Sequence, residues 1–392
     1  METSYHRRPV VRTNDIVAFI LCKLGSGVNL PGYYMYHGGA NSIGKLSALE
    51  QSQDTGYPEN SNDMPVISYD YQAPLGEFGQ VRPLYGALKL YHLFLQDFGR
   101  TLATMEMRPS DTQPVSIYDR QTPRVAVRSK GNRALVFVNN YQRNYPLREQ
   151  KNFQVAIRLP SETVKIPARP ITVPSGAYFI WPVNLVMNGS VLKYATAQLL
   201  CSACDGETPI YFFFAPFGIE PEFALDAQSV GTVDAASGVK TRADGQIRVS
   251  GVEPGTDEAI SLRSRMGKTA RIVLLTKQQA EGCYRLPFAG GDHIFISQGH
   301  MFSDAKKLHL RSRKVQDLAF SVFPALPQLK ASAPLREAGR EGIFVRCNAT
   351  ASPRRISVRM EQRREALPLG PPKMGKQMAL APSDADFHSA AE

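Results

Sequence analysis

Cysteine, tryptophan and histidine are scarce in this sequence, with 5, 1 and 7 copies in 392 residues. An odd number of cysteines on so long a chain provides no disulfide framework. Cys201 and Cys204 have the spacing of a zinc or redox pair, but no second pair accompanies them, so we interpret the spacing as chance. Because His and Cys form no cluster along the sequence, we expect no metal and no other cofactor.

Long apolar runs are also lacking, as is an excess of acidic residues. No run approaches the roughly 20 residues of a membrane span, and residues 1–9 lack the apolar core of a signal peptide. Acidic residues number 35 against 46 basic ones, and the resulting charge of +11 would suit a nucleic-acid partner. In the densest basic clusters, at 306–314 and 354–364, the charges alternate with apolar residues. Such alternation predicts half-buried strands with a solvated face, and we expect no nucleic-acid binding.

The first hundred residues alternate helical and extended patterns. The predicted elements are a helix from Asn14 to Leu24 stopped by Gly25, a strand at Tyr33–Tyr36, a polar loop over 40–65, and a helix from Val81 to Phe98 closed by Gly99. One such unit of a parallel α/β fold cannot form a domain, because its strand lacks neighbours and its helices lack a sheet to cover. We therefore expect the chain to begin inside a larger domain, leaving the helix face at Ile16–Leu24 and the segment Val28–Tyr36 uncovered.

From about residue 108 onward the pattern is almost purely β. Short runs bounded by Gly, Pro, Asn and Asp predict the strands of antiparallel sandwiches. The predicted strands are Val115–Tyr118, Arg124–Val127, Ala134–Val138, Phe153–Leu159, Tyr178–Trp181, Val191–Ala197, Ile210–Ala215, Gln246–Val249, Arg271–Leu275, His293–Ser297 and Leu318–Phe323. Pro160, Pro167, Pro170 and Pro174 are expected in loops or at sheet edges, because proline cannot donate a ladder hydrogen bond.

Two stretches could carry chemistry. Tyr33–Asn41 ends an aromatic run in paired glycines, and aromatic rings stack on the C–H faces of sugars while glycine lets a ligand approach the backbone. A buried aromatic strand with a glycine turn would have the same composition. Ser68–Gly79 is again aromatic, acidic and glycine-containing. Asp70 and Glu77 could be proposed as a carboxylate pair for glycoside hydrolysis, but we interpret Glu77 as a charge near the positive end of the next helix.

Both stretches together, at this spacing and followed by a helix, resemble the family 35 glycoside hydrolases, which are β-galactosidases. In that family a strand ending in Tyr-Met-Tyr-His-Gly-Gly-Thr-Asn is the eighth of a TIM barrel, and Ser-Tyr-Asp-Tyr-Asp-Ala-Pro-Leu precedes the closing helix. Phe137–Tyr141 and Pro174–Pro182 resemble the β-domains that follow the barrel. The resemblance implies an α+β multidomain chain, with the C-terminal part of a (β/α)8 TIM barrel in residues 1–107, one or more β-sandwich domains in 108–299 and a further β-rich segment, incomplete at its end, in 300–392.

The resemblance also implies hydrolysis of terminal non-reducing β-D-galactosyl residues with retention, by two glutamates. Tyr5–Pro9 resembles the stretch just after the seventh barrel strand, so both glutamates are expected upstream of Met1 and the chain alone is expected to be inactive. A galactoside, oligosaccharide or polysaccharide is the implied substrate, and a complementing barrel fragment is a possible partner. The parent enzyme is expected to be secreted or periplasmic, with any signal peptide upstream.

Five residues carry over from the family's sugar pocket. The resemblance places Tyr34 and Tyr71 near the galactose, has Asp70 order the second loop, and has His37 and Asn41 line the rim. Ala40 stands for the usual Thr and Gln72 for the usual Asp, which puts fine positioning of the substrate in doubt. Two alternatives stay open: a non-catalytic carbohydrate-binding or structural β-sandwich protein, and one half of a split enzyme.

Overall fold

A computed structural model of the chain describes residues 11–40, 70–304, 306–326, 330–350, 357 and 359. The predicted polar loop after residue 40, the Tyr5–Pro9 segment and most of the basic cluster at 354–364 lie outside the described residues. Contacts divide the chain into two compact units. The first comprises Met1–Thr13, Gly32–Tyr85 and Pro353–Glu392, and the second comprises Asn14–Pro31 and Gly86–Ser352.

Helices are few and strands are many in the described part of the chain. The helices are α1 (Thr13–Gly25), α2 (Pro83–Ala103) and α3 (Lys277–Glu281). The strands of the first half are β1 (Glu106–Pro109), β2 (Arg124–Lys130), β3 (Arg133–Asn139), β4 (Gln150–Arg158), β5 (Thr163–Val173), β6 (Tyr178–Met187), β7 (Ser190–Ala195), β8 (Gln198–Asp205), β9 (Thr208–Phe214), β10 (Glu222–Asp226) and β11 (Val230–Ala235). The later strands are β12 (Val239–Ala243), β13 (Gln246–Ser250), β14 (Glu258–Ser264), β15 (Thr269–Leu275), β16 (Cys283–Phe288), β17 (Gly291–Ile296), β18 (His300–Ser303), β19 (Leu308–Arg311), β20 (Ala319–Phe323), β21 (Leu335–Glu341) and β22 (Phe344–Ala349).

An eight-stranded sheet in the order β1-β2-β3-β6-β7-β10-β13-β12 opens the second unit. Its side chains alternate between faces, because successive residues of a strand point to opposite sides. Phe179 and Trp181 therefore share one face, with their rings stacked at 4.5 Å, and both are fully buried. The β4–β5 hairpin covers that face, since Phe153 lies 6.1 Å from Trp181 and belongs to the same apolar core.

A five-stranded sheet, β11-β14-β15-β9-β8, is covered on both faces. Strand β9 reads Thr-Pro-Ile-Tyr-Phe-Phe-Phe, a nearly continuous apolar run of the kind found where a sheet has no solvent face. Phe213 packs edge-on against Phe223 of β10 at 5.3 Å, and Phe212 lies 6.0 Å from Phe344 of β22. The second of these contacts joins it to another five-stranded sheet, β16-β17-β20-β22-β21. These mostly antiparallel layers agree with the predicted β-sandwich architecture.

Helix α1 confirms the predicted helix but corrects its end. Gly27, with φ +95°, is the left-handed residue, and Gly25 is the last residue of the helix. The amides of Gly27 and Val28 donate to the carbonyls of Leu24 and Lys23, which is the Schellman arrangement. Gly25 is small for another reason, because a Cβ there would lie 3.0 Å from that of Phe137 on β3.

The expectation of an uncovered face on α1 is wrong. Val17, Ile20, Leu21 and Leu24 are each at most 2% exposed. The eight-stranded sheet of the second unit contacts α1. The Arg128 guanidinium of β2 donates to the Leu24 carbonyl, and the side-chain amide of Asn139 on β3 donates to the Cys22 sulfur. Strands β2 and β3 thus supply polar partners to the end of α1, and Phe137 of β3 lies against Gly25.

Helix α2 also confirms its prediction but runs past Gly99 to Ala103. Leu90 and Leu93 belong to the core formed with β8, β9 and β15, and Leu102 is 2% exposed. Apolar packing on both sides of Gly99 offsets its low helix propensity, which costs about 1 kcal/mol relative to alanine.

Most predicted strands are present, and two predictions are wrong. Val115–Tyr118 forms turns whose apolar side chains are exposed, with Val115 at 93%. Tyr33–Tyr36 and the described residues before it form no strand, and the pairing between described residues nearby consists of single bridges, His37 with Leu75 and Leu75 with Val81. A strand needs a neighbour along its edge, and here only one residue pairs at a time. Both segments have an amino-acid composition typical of strands, but neither has, in the described part of the chain, a neighbouring strand with which to pair along its length.

The expectations for the prolines and for the first basic cluster agree with the structure. Pro167 and Pro170 lie in β5, which pairs on one side only. Leu308 and Leu310 are half-buried in β19, between charged neighbours. Among the described residues, parallel pairing is confined to β9–β15 and the His37–Leu75 bridge, so the barrel part stays a prediction, as do the boundaries at 107 and 299. None of the helices described is both long enough and apolar enough to span a bilayer.

Candidate functional site

Backbone hydrogen bonds join the two motifs singled out in the sequence. The Gly38 amide donates to the Leu75 carbonyl at 2.7 Å, and the Leu75 amide donates to the Tyr36 carbonyl at 3.1 Å. Leu75 also pairs with Val81 by a single antiparallel bridge, and the Arg82 amide donates to the Pro74 carbonyl. The first motif is therefore hydrogen-bonded to a tight loop. That loop leads directly into α2.

Two left-handed residues set the shape of the second motif. Tyr71 and Gln72 have φ values of +46° and +56°, a region that non-glycine residues visit at a cost. The turn is closed by the Ala73 amide, which donates to the Asp70 carbonyl at 3.0 Å. Backbone strain of this kind concentrates at functional sites, where the surrounding contacts hold it in place.

The turn brings Tyr71 beside Tyr34. Their ring centroids are 6.2 Å apart, with the planes tilted by 56°, and Tyr34 is 72% exposed. Aromatic rings gain most from burial, so an accessible pair of them is a surface suited to a ligand with its own apolar face. The structure thus brings together two of the five predicted site residues.

Asp70 organises this loop. Its Oδ2 accepts hydrogen bonds from the Glu77 amide at 2.8 Å and from Arg82 Nη2 at 3.1 Å, while Oδ1 lies 2.8 Å from Arg82 Nη1. That third contact is an ion pair without a well-directed hydrogen bond. Burial alone would raise the pKa of Asp70, but the bonds and charge of Arg82 and the bond from Glu77 outweigh it, and the pKa is lower than usual. Asp70 is therefore charged at neutral pH and engaged by Arg82 and the Glu77 amide.

Gly38 has no side chain because Asp70 occupies its place. A Cβ on Gly38 would lie 2.9 Å from both Asp70 Cγ and the Glu77 nitrogen. The neighbouring Gly39 has nothing within 4 Å of such a Cβ. Of the paired glycines in the motif, the first is required by close packing between the two motifs.

Behind the exposed pair, three more tyrosines are partly buried. Tyr36 stands between Tyr33 and Tyr85, at centroid distances of 5.4 and 6.4 Å. Burial raises the pKa of Tyr33 and of Tyr36 to about 12, and for Tyr36 the neighbouring tyrosines add to the effect. These hydroxyl groups are therefore protonated at neutral pH and act as neutral donors and acceptors.

The remaining predicted residues have different outcomes. His37 is exposed, and its Nδ1 contacts the Gly38 carbonyl. Asn41 lies outside the described residues. Glu77 precedes α2 by several residues and does not lie in its first turn, so the interpretation of its charge is wrong. Sequence reasoning missed Arg82, the partner of Asp70, because nothing in the spacing indicates that the two meet.

Among the described residues, the carboxyl group at the centre of this arrangement is Asp70. Asp70 is charged and engaged by Arg82 and by the Glu77 amide, so it cannot serve as a proton donor at neutral pH. Within the described ranges, no group of three or more His, Cys, Asp or Glu side chains could hold a metal ion. The chemistry available at this site is stacking on the Tyr34–Tyr71 pair, with hydrogen bonds at its rim.

Comparison with known proteins relates the first part of the chain to a family of glycosidases. Residues 4–94 match the model of the family described as glycosyl hydrolases family 35, a family of glycosidases. The match covers both motifs and most of α2. Among solved structures, the Gamma-CGTASE from Alkalophilic bacillus clarkii is similar at 13% identity, over 75% of this chain and 39% of that one, with a TM-score of 0.25. The present chain therefore spans well under half of that protein, and the likeness is too weak to carry a conclusion.

Proposed function

We propose that this chain provides the galactose-facing wall of a β-galactosidase that releases terminal non-reducing β-D-galactosyl residues with retention. The family match over residues 4–94 supports the glycosidase class. The observation that carries the proposal is the accessible Tyr34–Tyr71 pair, formed by two motifs that are hydrogen-bonded to each other.

Each residue of the wall has a proposed role. The C–H face of a galactosyl ring stacks on Tyr34 and Tyr71, while hydroxyl groups of the sugar bond to His37 and Asn41 at the rim. Asp70 is a positioning residue, since it holds the left-handed turn that carries Tyr71 through its bonds with Arg82 and the Glu77 amide.

The catalytic carboxyl groups are proposed to come from elsewhere. Retention requires two of them about 5–5.5 Å apart, one as nucleophile and one as acid and base. Asp70 is held as a charged partner of Arg82, and we propose that the family's two glutamates have no counterpart among the acidic residues of this chain. We propose that a barrel polypeptide carrying both glutamates completes the enzyme, and that residues 1–107 form the last part of that barrel.

The test is complementation. The full chain is mixed with a polypeptide that spans the barrel of a family 35 enzyme up to and including its seventh strand, and hydrolysis of an aryl β-galactoside is measured. We expect activity only in the mixture, with KM raised about tenfold by Tyr34→Ala, equivalent to about 1.4 kcal/mol of lost binding. Tyr118→Ala is the matched control, because Tyr118 is also exposed, at 67%, but lies in the second unit. Hydrolysis by the chain alone, abolished by changing one of its own acidic residues, would overturn the proposal.

A second candidate is a non-catalytic carbohydrate-binding or structural β-sandwich protein. The burial of α1 and of much of α2 within the second unit favours it, because these helices find apolar partners without any barrel. A monodisperse chain that binds galactosides and remains inactive in every mixture would support this candidate over the first.

A further inference from the structure

Residues of the second unit line a cavity that is distinct from the Tyr34–Tyr71 pair. It has a volume of about 320 Å³, at the lower end of the roughly 300–1,000 Å³ usual for ligand pockets. Val17 of α1, Leu90 of α2 and Phe214 of β9 give it buried apolar walls, and Phe217, which is 62% exposed, also lines it. The Tyr34–Tyr71 pair is not part of this cavity.

A buried amide lines the cavity with an unused donor. Gln198, at the start of β8, is 3% exposed, and its Oε1 accepts a hydrogen bond from the Ile180 amide at 3.2 Å. In the described structure its side-chain nitrogen donates to no protein acceptor. The Gln198 nitrogen is open to solvent within the cavity, since the buried side-chain atoms that lack a partner do not include it. An NH2 group that faces a cavity and has no protein acceptor can donate to a ligand oxygen.

Hydrogen bonds within the protein fix the orientation of further polar groups that line the cavity. The Tyr178 hydroxyl donates to Asn14 Oδ1 at 2.9 Å, and the Tyr141 hydroxyl donates to Asp15 Oδ1 at 2.5 Å. The two tyrosine rings pack edge to face at 6.2 Å, which fixes their orientation. The Tyr178 oxygen keeps acceptor capacity, and Asn14 keeps a donor NH2 group. The lining thus offers donors and acceptors in a mixed arrangement.

The charges near the cavity are paired. Lys277 lies 3.8 Å from Glu281, and Asp15 lies 3.6 Å from Arg143. An anionic or cationic ligand would have to compete with these pairs, whereas a neutral ligand would not. Apolar walls, mixed hydrogen-bonding groups and balanced charge together suit a neutral polyhydroxylated molecule with an apolar face.

We infer that this cavity, the Gln198 cavity, is a saccharide-binding site that takes one or two neutral sugar rings, with Gln198 donating to a ring hydroxyl and Phe217 stacking on a C–H face. The ligand class follows from the lining, and only the choice of galactosides as probes rests on the proposed function.

The experiment follows the Gln198 side-chain NH2 resonance by NMR in the full chain during titration with galactose, lactose and cellobiose. We expect a saturable shift with at least one sugar, at a dissociation constant in the millimolar range. Phe217→Ala should weaken binding about tenfold without affecting the fold, because the side chain is exposed. Phe302→Ala, which removes an exposed aromatic ring from β18, is the matched control and should change nothing.

Two further variants separate this inference from the proposed function. Gln198→Glu keeps the acceptor for the Ile180 amide and removes the donor, so it should abolish binding while near-UV circular dichroism stays native. Because this variant lacks the NH2 resonance, its binding is followed at the backbone amide of Gly176, which also lines the cavity. A Tyr34→Ala, Tyr71→Ala double variant should leave binding at Gln198 unchanged whether or not the complementation assay succeeds. The inference is overturned if none of the three sugars shifts the resonance, or if binding survives both Phe217→Ala and Gln198→Glu.

Discussion

Tyr34 and Tyr71 lie 6.2 Å apart, ring centroid to ring centroid, although a long polar stretch separates them in the sequence. Two backbone hydrogen bonds across the motifs and a left-handed turn at Tyr71 produce this proximity. The rings depend on backbone geometry more than on packing against each other, because Tyr34 is mostly exposed. Changes that separate the two backbones should therefore disperse the pair.

Gly38→Ala is the most direct such change. Its Cβ would lie 2.9 Å from Asp70 Cγ and from the Glu77 nitrogen, so the motifs must move apart, at a cost of about 1–3 kcal/mol. We expect faster hydrogen exchange at the Gly38 and Leu75 amides, whose bonds join the motifs. Gly39→Ala is the control, since its Cβ meets nothing within 4 Å. Equal exchange rates in the two variants would contradict this account.

The titration of Asp70 gives a second prediction. Arg82 and the Glu77 amide hold the pKa of this carboxyl below its ordinary value of 3.8, despite the opposing effect of burial. The stabilisation from the charged form is therefore complete above that ordinary value and is lost as the pH falls through the lower folded pKa. The amide shift of Glu77, followed by NMR, should titrate with a midpoint below 3.8. In Arg82→Met the midpoint should rise, and an unchanged midpoint would remove Arg82 from its proposed role.

The helices show how far the sequence alone could go. Apolar spacing predicted α1 and α2 within a few residues, because burial of one face is written in the local pattern. The stops differ from the prediction, because the left-handed residue after α1 is Gly27 and not Gly25, and α2 ends at Ala103 and not at Gly99. Gly25 instead makes room for Phe137, which is distant in sequence, and Gly99 lies between buried turns of one helix. A glycine in the sequence indicates a structural constraint at that position. The sequence alone does not distinguish a constraint on the backbone dihedral angles from close packing against a neighbouring residue.

The features of the candidate site likewise divide into those that the sequence predicted and those that only the structure shows. Aromatic composition located Tyr34 and Tyr71, and the resemblance supplied their proposed roles. The pairing of Asp70 with Arg82 and the open amide of Gln198 depend on how distant segments meet, and no spacing rule contains that information. Tyr33–Tyr36 had the composition of a strand, but strand formation also requires a partner edge.

The cysteine spacing leads to a third prediction. Cys201 and Cys204 both lie in β8, at positions three apart, and residues an odd number apart in a strand point to opposite faces. Cys201 is accordingly buried and Cys204 exposed. A maleimide should therefore label Cys204 first, and Cys204→Ser should remove the fast phase while Cys201→Ser leaves it unchanged. Rapid modification of both, or stoichiometric zinc binding lost in either variant, would show that the two sulfurs share one site.

Lys89 provides the last prediction, because α2 buries its ammonium group. Its Nζ donates to the Cys283 carbonyl at 2.9 Å and lies over the Tyr284 ring, yet burial lowers its pKa from 10.5 to about 7. Between those two pH values the unfolded chain keeps a proton that the folded chain has released. The free energy of unfolding should therefore rise with pH over this window, by up to about 1.4 kcal/mol per pH unit.

Below pH 7 both states hold the proton and the dependence disappears. Denaturant titrations of Lys89→Met at several pH values should show a flatter profile than the unmodified chain, whatever the absolute change from losing the bond to Cys283. Lys268→Met, at an exposed lysine, should keep the original slope. An unchanged slope in Lys89→Met would mean that the ammonium group is hydrated in the folded chain. Helix α2 would then pack on the β-sheets less closely than its buried leucines indicate.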